Sequence, residues 1–148
     1  MNLRMFIGGS ILVGLGSTGA VAQNTLGELL DAGGKKLSKE EVVTTFSGAQ
    51  VTGLTSGGGQ QELAYKADGS VSGSMQLAKG GGVGIVGTWK VDDKGRLCTE
   101  STQSGLRGSL RAGNDEVCNF YFVSSDQHYA AKSDSDRSSP ILKRTIKK

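Results

Sequence analysis

The sequence predicts a mainly β protein. Two short N-terminal helices precede about seven or eight antiparallel strands, curled into a small barrel or sandwich. Three observations lead there. A capping signature marks a helix before residue 48, the apolar period changes to two from Gln50 onward, and turn chemistry then recurs at hairpin spacing. Glycine is abundant, at 24 residues against the single proline Pro140, and only 5% of residues are aromatic. Such a composition suits hairpins better than helical bundles.

The helical region spans 24–48. In "NTLGELLDA", residues 24–32, Leu26, Leu29 and Leu30 share one face, and Gly33-Gly34 stops the helix. "KLSKEEVVTTFSG" then supplies Ser38 as N-cap and Glu41 as its capping-box partner, with Leu37 and Val42 as the hydrophobic staple. Gly48 stands where a C-terminal cap belongs, so the spacing predicts a helix from Lys39 to about Ser47.

The strands follow from alternation. "QELAYK" turns through Ala67-Asp68-Gly69 into "SVSGSMQL", where Val71, Gly73, Met75 and Leu77 face one way and Ser70, Ser72, Ser74 and Gln76 the other. "TWKV" sets Trp89 with Val91, "DDKG" turns the chain, and "RLCTE" returns antiparallel. "VCNFYFV" is the most β-prone run; Ser124-Ser125-Asp126 turns it into "QHYAA", and "PILKRTIKK" closes the sheet.

The first 22 residues read as a secretory signal peptide. Arg4 precedes an apolar run from Met5 to Gly16, and Ala20-Val21-Ala22 supplies a small-residue cleavage site after Ala22. The run is shorter than the ~20 residues of a spanning helix. The expectation is therefore an exported protein, periplasmic or secreted, with no stable membrane anchor once the leader is removed. The remainder, Gln23 to Lys148, is one domain, large enough to bury roughly two-thirds of the surface of its unfolded chain.

Charge and cysteines narrow the function classes. Lys plus Arg number 17 against 14 Asp plus Glu, and without Arg4 the balance is 16 to 14, too mild to call for a nucleic-acid partner. Cys98 and Cys118 are expected to pair in an oxidising compartment, two free thiols being the rival reading. Cys98 shares its face with Arg96 and Glu100, which places the bridge near a rim, and Phe120 and Phe122 share a face with Cys118.

Motifs of chemistry are weak. One G-x-G-x-x-G match (Gly14, Gly16, Gly19) lies in the leader; the other (Gly82, Gly84, Gly87) runs into a strand, where a dinucleotide site needs a helix, and reads as a hairpin loop. His128 is the only histidine. With Asp126 two residues before it on one strand face, it permits a hydrolase using a serine, against the plainer reading of a surface histidine beside a turn. Three Cys and His residues in all are too few for a closed structural zinc site, and neither "DGS" nor "DDKG" has the calcium-loop pattern, so no metal and no cofactor are expected. Lys143, Arg144, Lys147 and Lys148 crowd the tail as a solvated end or an edge-protecting charge cluster.

The order "L-x-x-E-E-x-x-x-x-F-S-G", "Y-K-A-D-G-S" and "G-T-W-K-V-D-D-K-G-R-L-C" resembles small exported proteobacterial proteins grouped as a domain of unknown function, from about Leu37 to Tyr129. The resemblance implies a lipocalin-like β-barrel and brings no activity or catalytic residue. The pattern is also similar in outline to periplasmic barrel inhibitors of lysozyme and of proteases, without an inhibitor motif.

The expectation is a non-enzymatic binding protein with no catalytic residue. A protein partner is slightly favoured, in an inhibitor-like or envelope role, met by the loops Ser56–Gly59, Lys79–Gly84 and Gln103–Asn114. The alternative is a carrier of a small apolar ligand inside the barrel, near Trp89, Met75 and Tyr121.

Overall fold

The computed structural model describes residues 23–105, 110–111 and 116–148. The leader expected over residues 1–22, with its cleavage point, lies outside the described residues, as does most of the loop expected between Gln103 and Asn114. The elements are α1 (Leu26–Asp31), β1 (Lys35–Lys36), α2 (Lys39–Phe46), β2 (Ala49–Leu54), β3 (Gln60–Tyr65), β4 (Ser70–Gln76) and β5 (Gly82–Val91). They continue with β6 (Leu97–Gly105), β7 (Leu110–Arg111), β8 (Glu116–Ser124), β9 (Gln127–Ala131) and β10 (Ile141–Lys147).

Strands β2 to β6 form a meander, β8 to β10 continue it, and β10 pairs back onto β2, so eight antiparallel strands close a barrel. The closing seam is short: Leu97–Glu100 of β6 against Glu116–Asn119 of β8. The two-residue strands lie outside the ring, β1 extending the seam along Phe122 and Val123, and β7 pairing with Gln103 and Ser104. Carrying each register round the ring, the row that leaves β6 at Gly105 reaches β8 at Val123. It returns to β6 level with position 93, a stagger of 12 residues. Stagger of this size tilts the strands and widens the interior.

Curvature explains part of the glycine content. A Cβ at Gly73 would lie 2.0 Å from the Glu62 carbonyl oxygen, and one at Gly87 2.1 Å from that of Glu100. At these inward-facing positions the neighbouring backbone occupies the place of a side chain, as at the bends of a coiled sheet. Gly87→Ala is therefore expected to lower the unfolding free energy by about 1–3 kcal/mol, the usual range for overpacking; urea denaturation giving an unchanged midpoint would contradict this. The same geometry corrects the sequence reading of Gly82–Gly87, which is strand throughout and not a loop.

Both helices are capped by the same device. Ser38 Oγ accepts from the Glu41 N–H at 3.2 Å, and the Glu41 carboxylate accepts from the Ser38 N–H at 2.7 Å, as the spacing predicts. Gly48 follows with φ +78°. An equivalent box at α1 went unread in "TLGE": Thr25 Oγ1 accepts from the Glu28 N–H, and Glu28 accepts from the N–H groups of Asn24 and Thr25. Those two backbone donors hold the Glu28 carboxyl below the usual range.

The core has two parts. Inside the barrel, Val42 and Phe46 of α2 pack with Val51, Leu63, Tyr65, Val71, Ile85, Leu97 and Tyr121. Outside it, Leu26 and Leu29 of α1 cover Phe120, Phe122, Ala131 and Ile141. The wall of β8 to β10 is thus buried on both faces, which is why "VCNFYFV" is apolar almost throughout and not alternating.

Candidate functional site

Successive hairpins place their turns alternately at the two ends of the barrel. The β3–β4, β5–β6 and β8–β9 turns share one end, and α2 closes it. Lys39 pairs with Asp93 of the β5–β6 turn at 3.2 Å, and the Leu37 N–H donates to the Tyr121 carbonyl at 2.9 Å. Phe46 carries the plug inward, its ring centroid 4.5 Å from Tyr121 and 5.4 Å from Tyr65, both edge-on. Burial raises the pKa of both tyrosines, so their hydroxyls remain neutral donors at physiological pH.

Among the described residues, no helix covers the other end. Its β2–β3 and β4–β5 turns are held by bonds from Thr55 N–H to Gly59 O at 2.7 Å and Leu77 N–H to Gly81 O at 2.9 Å. The two turns touch, since a Cβ at Gly58 would lie 3.7 Å from that of Ala78. Inward-facing Gln61, Met75 and Val83 are paired in one row across β3, β4 and β5, and all three are half-buried. The next row inward, with Val51, Leu63 and Ile85, is buried. On the seam, Val117 faces the same mouth at 45% exposure, and Leu54 (54%) and Leu77 (43%) stand on its rim.

The three residues expected to line a ligand site are not gathered together. Trp89 lies toward the closed end, its Nε1–H donating to the Lys66 carbonyl at 2.8 Å and its ring 5.8 Å from Tyr65. Tyr121 lies beneath Phe46. Met75 is at the mouth, level with Val83, which is six residues and so roughly 20 Å along β5 from Trp89. Trp89 straps a turn, and Met75 alone of the three reaches this end of the barrel.

Arg144 is a correction to the sequence reading. It was grouped with the solvated tail cations, yet it is 5% exposed, while its neighbours Lys143 and Lys147 are exposed on the outer wall. Its Nη1 donates to the carbonyls of Leu54 at 2.8 Å and Lys143 at 2.9 Å, where β10 leaves β9 for β2. The Tyr121 hydroxyl is a further partner. Gly53 makes the room: a Cβ there would stand 2.6 Å from Nη1. The signal was present in "ILKRTIK", where alternation puts Leu142, Arg144 and Ile146 on one face.

His128 also departs from expectation. It is half-buried, opposite Arg144 and Val123, and burial holds its pKa below the ordinary value against the opposing pull of Asp126. Asp126 is in the turn at φ +62° and not on the strand beside it. Among the described residues, no hydroxyl hydrogen-bonds the His128 ring.

Cys98 and Cys118 form a disulfide between directly opposed residues, with Cα atoms 4.0 Å apart. It lies on the outer wall, in the middle of the seam and not at a rim, beside the Lys90–Glu116 ion pair of 2.8 Å. Asp92 approaches the two sulfurs, but their bond to each other leaves no thiolate for a metal. A depression of about 310 Å³ on the same wall, over Val86, Thr88, Glu100 and Thr102, is open to solvent.

The site is thus the end opposite α2 of a closed eight-stranded antiparallel barrel. No family model, curated protein or solved structure matches the chain. Among the described residues, no helix is long and apolar enough to cross a membrane.

Proposed function

We propose that the chain is an exported, non-enzymatic binding barrel that engages a protein partner through its open rim. One observation carries this reading: of the five large apolar side chains exposed among the described residues, three, Leu54, Leu77 and Val117, stand at this end beside the glycine turns, while Val43 on α2 and Val86 on the outer wall lie apart. Exposed apolar groups gathered on one rim mark an interaction surface better than the same groups scattered singly. The disulfide fits an oxidising compartment. A barrel that presents loops at one end supports an inhibitor-like or envelope role.

Affinity capture from an envelope extract tests the reading. Leu54→Ser with Leu77→Ser is expected to abolish the capture seen with the unaltered protein. Because both side chains are exposed, stability should change by no more than about 0.5 kcal/mol per site. Capture that persists through the double substitution would refute the rim as the partner surface.

A second reading, a ligand held in the interior, is favoured by the buried, inward-facing Arg144. A hydrolase using His128 draws no support from the geometry around its ring.

A further inference from the structure

We propose that Gln23 is a modification site: once the leader is cut after Ala22, the Gln23 α-amine closes onto its own side-chain amide, and the exported chain begins with a pyroglutamyl ring. This rests on the export reading above and names the chemistry of the new chain end.

Cleavage between Ala22 and Gln23 turns the Gln23 amide nitrogen into a primary amine. An α-amine has an ordinary pKa of about 8, so about a tenth of it is uncharged at pH 7. The neutral amine attacks Cδ of the same residue and closes a small unstrained lactam. The bond that forms is Nα–Cδ, and the bond that breaks is Cδ–Nε2. One proton passes from Nα to Nε2, which leaves as ammonia. No oxidant, reductant or cofactor enters. Nucleophile and carbonyl belong to one residue, so the step carries no association cost.

The fold fixes the chain from Asn24 onward and spares the reacting atoms. The N–H groups of Asn24 and Thr25 donate to the Glu28 carboxylate at 2.8 and 3.0 Å. The Ile141 N–H donates to the Asn24 carbonyl at 3.2 Å, and the Leu26 N–H donates to that of Ser139 at 2.9 Å. Thr25 bridges to Pro140 as well. Each of these bonds uses an atom beyond Gln23. Gln23 itself is half-buried, and its Oε1 lies buried with no hydrogen-bond partner among the described residues. A buried acceptor without a partner gives the fold nothing that holds the open amide. Ring closure therefore breaks none of the bonds that dock the segment. It also protects them. An aminopeptidase grips a free α-amine, and removal of Gln23 and Asn24 would take the acceptor of Ile141. The next step would take Thr25, whose side chain caps α1 beside the wholly buried Leu26. A lactam offers no amine to grip.

The test is mass spectrometry of the full-length gene product recovered from the envelope fraction or the medium, on the intact chain and on its N-terminal peptide. The expected mass is that of residues 23–148 less one ammonia and the two hydrogens of the disulfide, with the ammonia missing from Gln23 itself. Stepwise N-terminal degradation should give no sequence until a pyroglutamyl peptidase removes the first residue, and should then start at Asn24. Gln23→Ala leaves Ala20-Val21-Ala22 intact and should be read directly from position 23. An aminopeptidase should shorten that variant and leave the parent whole. A parent chain that begins at Gln23 with a free amine would overturn the ring and leave the export reading standing. Ammonia loss that persists in Gln23→Ala would overturn the assignment to Gln23. A chain that keeps residues 1–22, or begins at any other residue, would overturn the cleavage point and the site together.

Discussion

Replacing Phe46 with alanine is expected to lower the unfolding free energy by about 3–5 kcal/mol, the cost of deleting a large buried aromatic. Phe46 has no exposed surface, and it ends a helix of eight residues whose other buried side chain is Val42. An isolated helix of that length does not hold itself together in water, so its tertiary face supplies its stability. The edge contacts with Tyr65 and Tyr121 add to the loss, each such pair contributing about 0.5–1.5 kcal/mol beyond area. For a domain whose whole stability is about 5–15 kcal/mol, the variant should be marginal. Phe46→Leu, which keeps most of the volume, should retain more than half of the difference. A urea titration that finds alanine within about 1 kcal/mol of the parent would show that α2 rests on the barrel without plugging it.

The plug was legible because its signals are local. Ser38, Glu41, Leu37 and Val42 lie within five residues of one another, and each does in the fold what its spacing requires. The turns at Asp68-Gly69 and Ser125-Asp126 were legible for the same reason. Strand lengths were not: in "GGVGIVG" the glycines erase the alternation, although Val83 and Ile85 face inward. The mouth was hidden because it depends on registers between strands distant in the chain. No local pattern says that Arg144 meets the Leu54 carbonyl 90 residues away. Tail composition, four cations in "LKRTIKK", spoke louder than the period-two pattern that separates Arg144 from Lys143 and Lys147. The seam pairing of β6 with β8 has the same non-local character: the two cysteines indicate a bridge but not that their strands lie side by side in register.

Replacing Cys98 and Cys118 together with serine is expected to lower stability by about 2–4 kcal/mol, near the ~3 kcal/mol that chain entropy assigns to a closed loop of this size. The bridge spans 20 residues and joins the two strands that close the ring. Its loss should therefore be felt unevenly. The seam rests on four residue pairs, against seven between β4 and β5 and nine between β5 and β6. Amide exchange in the double variant should accelerate first at Leu97–Glu100 and Glu116–Asn119, while β3 to β5 keep protection close to the global value. Uniform acceleration across all strands would mean that the barrel opens only by unfolding, and that the bridge acts on the unfolded chain alone. In the parent protein no thiol should react with a maleimide before reduction. After mild reduction Cys118, half-buried, should react ahead of Cys98, which is 2% exposed. Two thiols labelled in the native, unreduced protein would refute the pairing, and with it the strongest covalent tie across the seam.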